Sequence, residues 1–458
     1  MNKSLYRWEF FVDTGGTFTD CLGKGPDGKE VRVKVLSRGS LSAQVVQMVS
    51  DREILLDSET DWPEDFPRGF VISSGAKNQP EIKVEHWSSR ENILILSDEP
   101  TTRFLEGEAI QLFSGWEAPL LAMRLILARE KKSQADCQIK MRLATTRCTN
   151  ALLEDSGEKP VLFLTKGFSD LLEIGDQRRT ELFDLIPQKR RSFAGPCVEV
   201  NERIDRTGKI ITEPDLPSLW FQAKTLVNDG HRVAVVSFLN SHINDANEKK
   251  VIEELREIGF EKIIGSAEIY PFINWLPRCE STVLEGYLQP ILDRYLRNII
   301  SGLGQNSELL IMNSAGGLMV PTEYRAINSL LSGPAGGVVG ACSVGKRAGL
   351  NKIINLDMGG TSTDVSRFSN SFGYQNTLRV GDAQLAGVAL DIETVAAGGG
   401  SVCRVENGRL KVGPESAGAF PGPACYGFGG PLCLTDINLL LGRLDEKSFP
   451  TPILIAAS

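Results

Sequence analysis

Apolar residues along this chain fall alternately into short buried runs and longer helical stripes, the arrangement of an α/β protein. Residues 9–12 read as a buried strand and 31–35 as an alternating one, with a glycine-rich turn between them. Residues 120–129 are helical, and 160–165 form a strand ended by Lys166 and Gly167. A helix over 216–228 accepts Pro217 in its first turn, and the strand 232–238 follows it. Asp245 caps a helix that runs to Ile258 and stops at Gly259. A longer helix covers 281–299, while 309–312 and 353–356 read as buried strands. The stretch from about 40 to 115 breaks this rhythm. Its strand-like runs at 71–73, 81–84 and 93–96 are separated by polar turns and prolines, which marks a small β-rich insertion.

The length of 458 residues gives room for two or three domains. A composition of 41% hydrophobic and 24% charged residues excludes a disordered or fibrous chain. The net charge of -8 argues against a general nucleic-acid binder, although Arg178–Arg179 and Lys189–Arg190–Arg191 are local basic patches. No apolar run reaches the roughly 20 residues a membrane span needs. The first residues carry no secretory apolar segment, so a cytoplasmic protein is expected. None of the nine cysteines is spaced C-x-x-C, which favours free thiols over disulfides or a zinc site. Three histidines, His86, His231 and His242, offer little for a His-centred triad.

One pattern carries most of the functional information. Asp13-Thr14-Gly15-Gly16-Thr17-Phe18-Thr19-Asp20 matches Asp357-Met358-Gly359-Gly360-Thr361-Ser362-Thr363-Asp364, both D-x-G-G-T-x-T-D. Each copy follows a predicted strand and precedes residues able to form a second one. Paired glycines let a backbone turn closely around a ligand, and the exposed N–H groups of such a turn make an anion-binding concavity. Threonine hydroxyls add donors to phosphate oxygens. A leading aspartate can hold Mg²⁺, an ion that takes one or two carboxylates together with substrate phosphates. A single G-G-T turn would be only a hairpin; its duplication points to two related domains clamping a phosphate chain. Further glycine runs are Gly398-Gly399-Gly400-Ser401, suited to a nucleoside lying against backbone, and 332–340, suited to close helix packing or to an anion at a helix start.

These motifs resemble the hydantoinase A/5-oxoprolinase family, of the actin, sugar kinase and heat-shock chaperone fold group. The resemblance also rests on 144–154, 165–177 with 182–185, 313–317, 332–337, 394–401, 412–419, 421–427 and 435–438. The chain departs from the family at the 40–115 insertion, at Arg147 and Cys148, and over 271–278. Family members also continue into another domain past the point matching Ser458.

The resemblance implies two actin/ribonuclease H-like ATPase domains around a nucleotide cleft, at 1–210 and 211–458. It implies ATP and Mg²⁺ as cofactors, with Asp13 and Asp357 at the metal. Gly15, Gly16, Thr17, Thr19, Gly359, Gly360 and Thr361 would bind phosphates, and Gly398, Gly399, Gly400 and Ser401 the nucleoside. Asp20 and Asp364 are candidates for a polarising or base role, or for hydrogen bonding within their hairpins. Thr145, Thr146, Thr149 and Asn150 would line the substrate side, with Arg178 a weaker candidate for charge neutralisation. The implied activity is ATP-dependent opening of a cyclic amide of the 5-oxoproline or hydantoin type, in an oligomer with a hydantoinase B-type subunit. Alternatives are a carboxylase subunit of the acetone or acetophenone type, and a nucleotide-gated regulatory protein.

Overall fold

The computed structural model describes residues 6–58, 60–73, 81–177, 192–380, 383–418, 421–426 and 429–445. The basic patches at 178–179 and 189–191, and the motif residues 182–185, lie outside them.

Two lobes each begin with a copy of the repeated hairpin. In the first, strands β1 (Tyr6–Thr14), β2 (Phe18–Lys24) and β3 (Glu30–Leu36) form an antiparallel meander. Alternation along β1 sends Trp8, Phe10 and Val12 into the core.

Next comes the predicted insertion. Its strands are β4 (Ser40–Met48), β5 (Glu53–Leu56), β6 (Val71–Ser73), β7 (Ile82–Ser88), β8 (Ile93–Leu96) and β9 (Ala109–Phe113). They pair in the order β4-β5-β8-β7-β6-β9, and β9 returns to β4, so the six strands close into a ring. Closure removes the free edges a small sheet would otherwise expose. Trp87, Ile54, Leu94, Leu96, Ile110 and Leu112 fill the insertion's core.

Helix α1 (Ala118–Arg129) returns the chain to the first sheet and packs on β2 and β3. Strand β10 (Cys137–Thr145) then adds parallel to β1 along nine residues, and α2 (Arg147–Leu153) follows it at once. A parallel sheet comes next: β11 (Val161–Thr165), β12 (Cys197–Val200), β13 (Val233–Ser237) and β14 (Lys262–Gly265), ordered β12-β11-β13-β14. The fully buried faces of β11 and β13 fit its position between α3 (Leu216–Asn228) and α4 (Ala246–Ile258) on one side and the 29-residue α5 (Trp275–Leu303) on the other. The expected boundary near 210 falls within the span of this sheet. Strand β15 (Ser307–Met312) completes the first lobe beside β10.

The glycine-rich helix α6 (Ser332–Arg347) leads into the second lobe. Strands β16 (Lys352–Met358) and β17 (Thr363–Ser369) form the second repeated hairpin. A separate hairpin, β18 (Tyr374–Val380) and β19 (Ala383–Leu390), reaches back to α5. Strand β20 (Ile392–Val395) pairs with β17 as β3 pairs with β2. The hairpin of β21 (Ser401–Glu406) and β22 (Arg409–Ser416) and the short helix α7 (Leu434–Leu440) end the described structure. The expectation of a buried strand at 353–356 is corrected here: Ile354 is 80% and Leu356 66% exposed. Only one face of β16 is covered, by α6, and only one edge is paired, with β17, among the described residues.

Candidate phosphate-binding cleft

The two octapeptides fold into the same turn. Gly15 N–H donates to the Phe18 carbonyl at 3.0 Å, and Gly359 N–H donates to that of Ser362 at 2.8 Å. A β-carbon at Gly15 would sit 3.2 Å from the carbonyl oxygen closing its turn, and one at Gly359 3.4 Å. Neither glycine has a positive φ, so at Gly15 close approach rather than left-handed backbone favours glycine, while at Gly359 the contact is ordinary. Asp13 faces Asp20 across the first hairpin, and Asp357 faces Asp364 across the second.

Each second aspartate has a partner on the third strand at the same register. Asp20 accepts from the Lys34 ammonium at 2.7 Å, and Asp364 from the Thr394 hydroxyl at 2.6 Å. Burial raises the Asp364 carboxyl above its ordinary range, the Thr394 hydrogen bond lowers it, and the Asp357 charge raises it.

Helix α6 lies between the leading aspartates. A methyl group added at Gly333 would lie 3.7 Å from Asp13 Oδ1, and one at Gly337 3.4 Å from Asp357 Oδ2. Glycines four apart share one face of a helix, so a bare helical face separates the two carboxylates. Asp13 is exposed on one side, while protein crowds its other sides. Burial, then repulsion from Asp20 and Asp357, push its carboxyl up to about 6, against an opposing pull from Lys34. Among the described residues no cluster of three or more His, Cys, Asp or Glu could cage a metal by itself. A site of two carboxylates that repel each other suits a cation completed by ligand oxygens, as Mg²⁺ is with phosphates.

The remaining expected residues divide into those bordering the cleft and those bracing it. Thr17 is braced at its carbonyl by Ser37 N–H at 2.9 Å, while Ser37 Oγ donates to the Gly15 carbonyl and lies 3.0 Å from Thr19 Oγ1. Gly16 lies beside the Asn150 amide. Thr146 donates from both N–H and hydroxyl to the Thr14 carbonyl, joining α2 to the first loop. Thr145 is buried, with its hydroxyl accepting from Arg147 N–H, and Thr149 Oγ1 donates to the Leu330 carbonyl at 2.5 Å. In the second lobe Gly360 and Thr361 are exposed. Gly399 N–H donates to the Gly359 carbonyl at 2.9 Å and Gly400 N–H to that of Gly360 at 2.6 Å. A β-carbon at Gly398 would come within 2.7 Å of Gly360 backbone, so the third glycine run is fitted to the second loop. Ser401 is buried and accepts from Gly398 N–H, closing that run. Sequence reasoning missed Ser37 and Lys34, which carry no motif. It left 332–340 open between packing and ligand contact, although the four-residue spacing of Gly333 and Gly337 was readable.

Known proteins share this architecture. The Hydantoinase/oxoprolinase N-terminal region model matches residues 98–259, and the Hydantoinase/oxoprolinase model matches 278–453. The 5-oxoprolinase of Saccharomyces cerevisiae is 38% identical over 474 residues, covering 96% of this chain and 32% of its own length. The nucleotide-free structure of an acetone carboxylase superposes with a TM-score of 0.67 at 20% identity, over 97% of this chain and 56% of that one. An ATP-dependent caprolactamase from Pseudomonas jessenii superposes at 0.61 with 24% identity, over 95% and 55%. The chain belongs to the hydantoinase/oxoprolinase family, and its fold is that of these two structures. It spans about a third or less of the length of the curated 5-oxoprolinases it matches.

Proposed function

We propose that the chain binds MgATP between its two hairpin loops and serves ATP-dependent hydrolysis of a cyclic amide of the 5-oxoproline or hydantoin type. The observation that carries this reading is the placement of Asp13 and Asp357 beside Gly333 and Gly337, which share one face of α6. Relatives named 5-oxoprolinase supply the substrate class, and the caprolactamase is a lactam hydrolase by name. ATP supplies a phosphoryl group that turns the unreactive amide oxygen into a leaving group.

The chain's residues do the positioning, the main demand of phosphoryl transfer. Asp13 and Asp357 hold Mg²⁺. Gly15, Gly16, Thr17, Gly359, Gly360 and Thr361 offer donors to phosphate oxygens, with Thr19 bracing the first loop. Gly398, Gly399, Gly400 and Ser401 take the nucleoside beside the second loop. Thr146 and Asn150 border the substrate side, supported from within by Thr145 and Thr149. Asp20 and Asp364 orient the hairpins through Lys34 and Thr394, and a base role would require release from those partners. A cytoplasmic oligomer with a hydantoinase B-type subunit fits this reading.

The test is ATP hydrolysis with Mg²⁺, with and without 5-oxoproline or hydantoin, alone and with a B-type subunit. Lactam-stimulated turnover that Asp13→Ala abolishes is the expected result. The acetone carboxylase likeness favours one second reading, a carboxylase subunit. Turnover that requires bicarbonate and ignores the lactam would replace the first reading with it.

A further inference from the structure

Arg147 is the first residue of α2, and the roles assigned above leave it out. Its neighbours are engaged with the first loop. Thr146 holds the Thr14 carbonyl by two bonds, and the Asn150 amide lies beside Gly16. Arg147 and Asn150 are three residues apart, a spacing that makes helical side chains neighbours. The Arg147 N–H donates to the Thr145 hydroxyl, which fixes the start of the helix against the end of β10. The side chain is exposed, and its guanidinium carbon stands 5.9 Å from the centre of the Tyr295 ring. Tyr295 is buried on α5, with its hydroxyl directed at Thr14 and Thr145, the last residues of β1 and β10. The guanidinium is thus held on a ring braced against the root of the first loop. Lys34, beside the same hairpin, is tied to Asp20 at 2.7 Å, whereas Arg147 has no carboxylate partner among the described residues. A guanidinium resting on an aromatic ring keeps its edge donors free, in a fork that matches a carboxylate.

Resting on the hydrolase reading above, we propose that Arg147 is a specificity-determining residue: it takes a carboxylate carried on the ring of the cyclic amide, and so favours the 5-oxoproline type over the hydantoin type. In 5-oxoproline the carboxylate-bearing carbon and the carbonyl carbon flank the ring nitrogen. One molecule can turn its amide oxygen toward phosphates held at loop 15–17 while its carboxylate meets the guanidinium. Hydantoin has no carboxylate and leaves the same guanidinium in water. A forked guanidinium–carboxylate pair is charge-assisted and directional, so it orients the ring as well as selecting it. The competing anion is the ATP phosphate chain. Asp13 faces α6 at Gly333, whereas Thr14 meets Tyr295. Successive strand residues point to opposite faces, so Arg147 stands on the far side of the loop from the proposed cation. That placement favours the lactam over the phosphates as its ligand.

The test is steady-state ATP turnover by the chain with a B-type subunit, comparing 5-oxoproline with hydantoin in the parent, Arg147→Met and Arg147→Lys. Arg147→Met should raise KM for 5-oxoproline by about 10–100-fold, as loss of a hydrogen bond to a charged group does. Its kcat should stay within about threefold, because the lost contact is one of binding. KM for hydantoin and for ATP should stay within about twofold, which also shows that the variant is folded. Arg147→Lys keeps the charge without the fork and should recover part of the loss. An unchanged KM for 5-oxoproline, an equal rise for both lactams, or a parent that answers only to hydantoin overturns the proposal and leaves the hydrolase reading standing. A rise in KM for ATP alone overturns it too, by assigning the guanidinium to phosphate. Failure of the hydrolase reading is a different result, no stimulation of the parent by either lactam, and the proposal falls with it.

Discussion

Phe10 and Ile354 hold the same place in two copies of one hairpin, yet the first is sealed in the main core and the second is 80% exposed. The turns themselves match, down to the bond between the first glycine and the residue three positions on. Loop geometry is therefore written within eight residues, whereas burial depends on what the rest of the chain lays over them. The partners of the second aspartates diverge as well, a lysine ammonium in one copy and a threonine hydroxyl in the other. The copies are alike in their turns and unequal in what holds them in place.

Stability separates the copies most sharply. Phe10→Ala should cost about 3–5 kcal/mol in urea unfolding, as large core truncations do. Ile354→Ala should change stability by less than about 0.5 kcal/mol, as substitutions at open surface do. Equal costs would break the comparison.

Turnover should show the opposite pattern, with both copies counting alike. Asp13→Asn and Asp357→Asn should each lower ATP hydrolysis by roughly 10²–10³-fold, the usual penalty for removing a group that stabilises developing charge. A loss confined to one variant would reduce the site to a single loop.

A pH titration sharpens the difference in charge. With its carboxyl near pH 6, Asp13 must lose a proton to bind a cation. Mn²⁺ affinity, read by electron paramagnetic resonance, should rise by up to about tenfold per pH unit below 6 and level off above it. The same raised value makes the native state bind more protons than the unfolded chain between its ordinary carboxyl range and pH 6. Stability should therefore fall as pH rises through that window, and Asp13→Asn should flatten the slope.

The smallest effect concerns the helix between the copies. Gly340 has open space where a β-carbon would go, so Gly340→Ala should stabilise the protein by about 0.5–1 kcal/mol and leave nucleotide affinity unchanged. Gly337→Ala gains the same helix propensity but sets a methyl group in contact with Asp357 Oδ2, on the face where the proposed cation and phosphates would sit, and a fluorescent ATP analogue should bind it several-fold more weakly.

Much of this was legible in the residues. The octapeptide announced its hairpins because strand, glycine pair and strand are contiguous, and the α/β class followed from alternating runs. Helices 216–228 and 246–258 were readable from Pro217, Asp245 and Gly259. Closure of the insertion was not, because periodicity marks a strand without saying which strand it meets; the return of β9 to β4 is a contact between residues about 70 positions apart. Exposure of β16 was hidden for a related reason. Ile353-Ile354-Asn355-Leu356 has the composition of a covered strand, and composition does not reveal that α6 lies over only one of its two faces. Thr145 and Thr149 looked like substrate ligands in a threonine-rich motif, and only the fold reveals the backbone groups their hydroxyls meet.

The β18–β19 hairpin belongs to the second lobe by sequence but plugs into the first. Leu378, Leu385 and Ala389 join the main core, and Ala386 N–H donates to the buried Ser281 hydroxyl on α5. Such a plug is a stitch across the chain: drawing it out of the first lobe would carry Leu378 and Leu385 into water, at about 1.5–3 kcal/mol for each side chain, and would strip the buried Ser281 hydroxyl of the Ala386 N–H that donates to it.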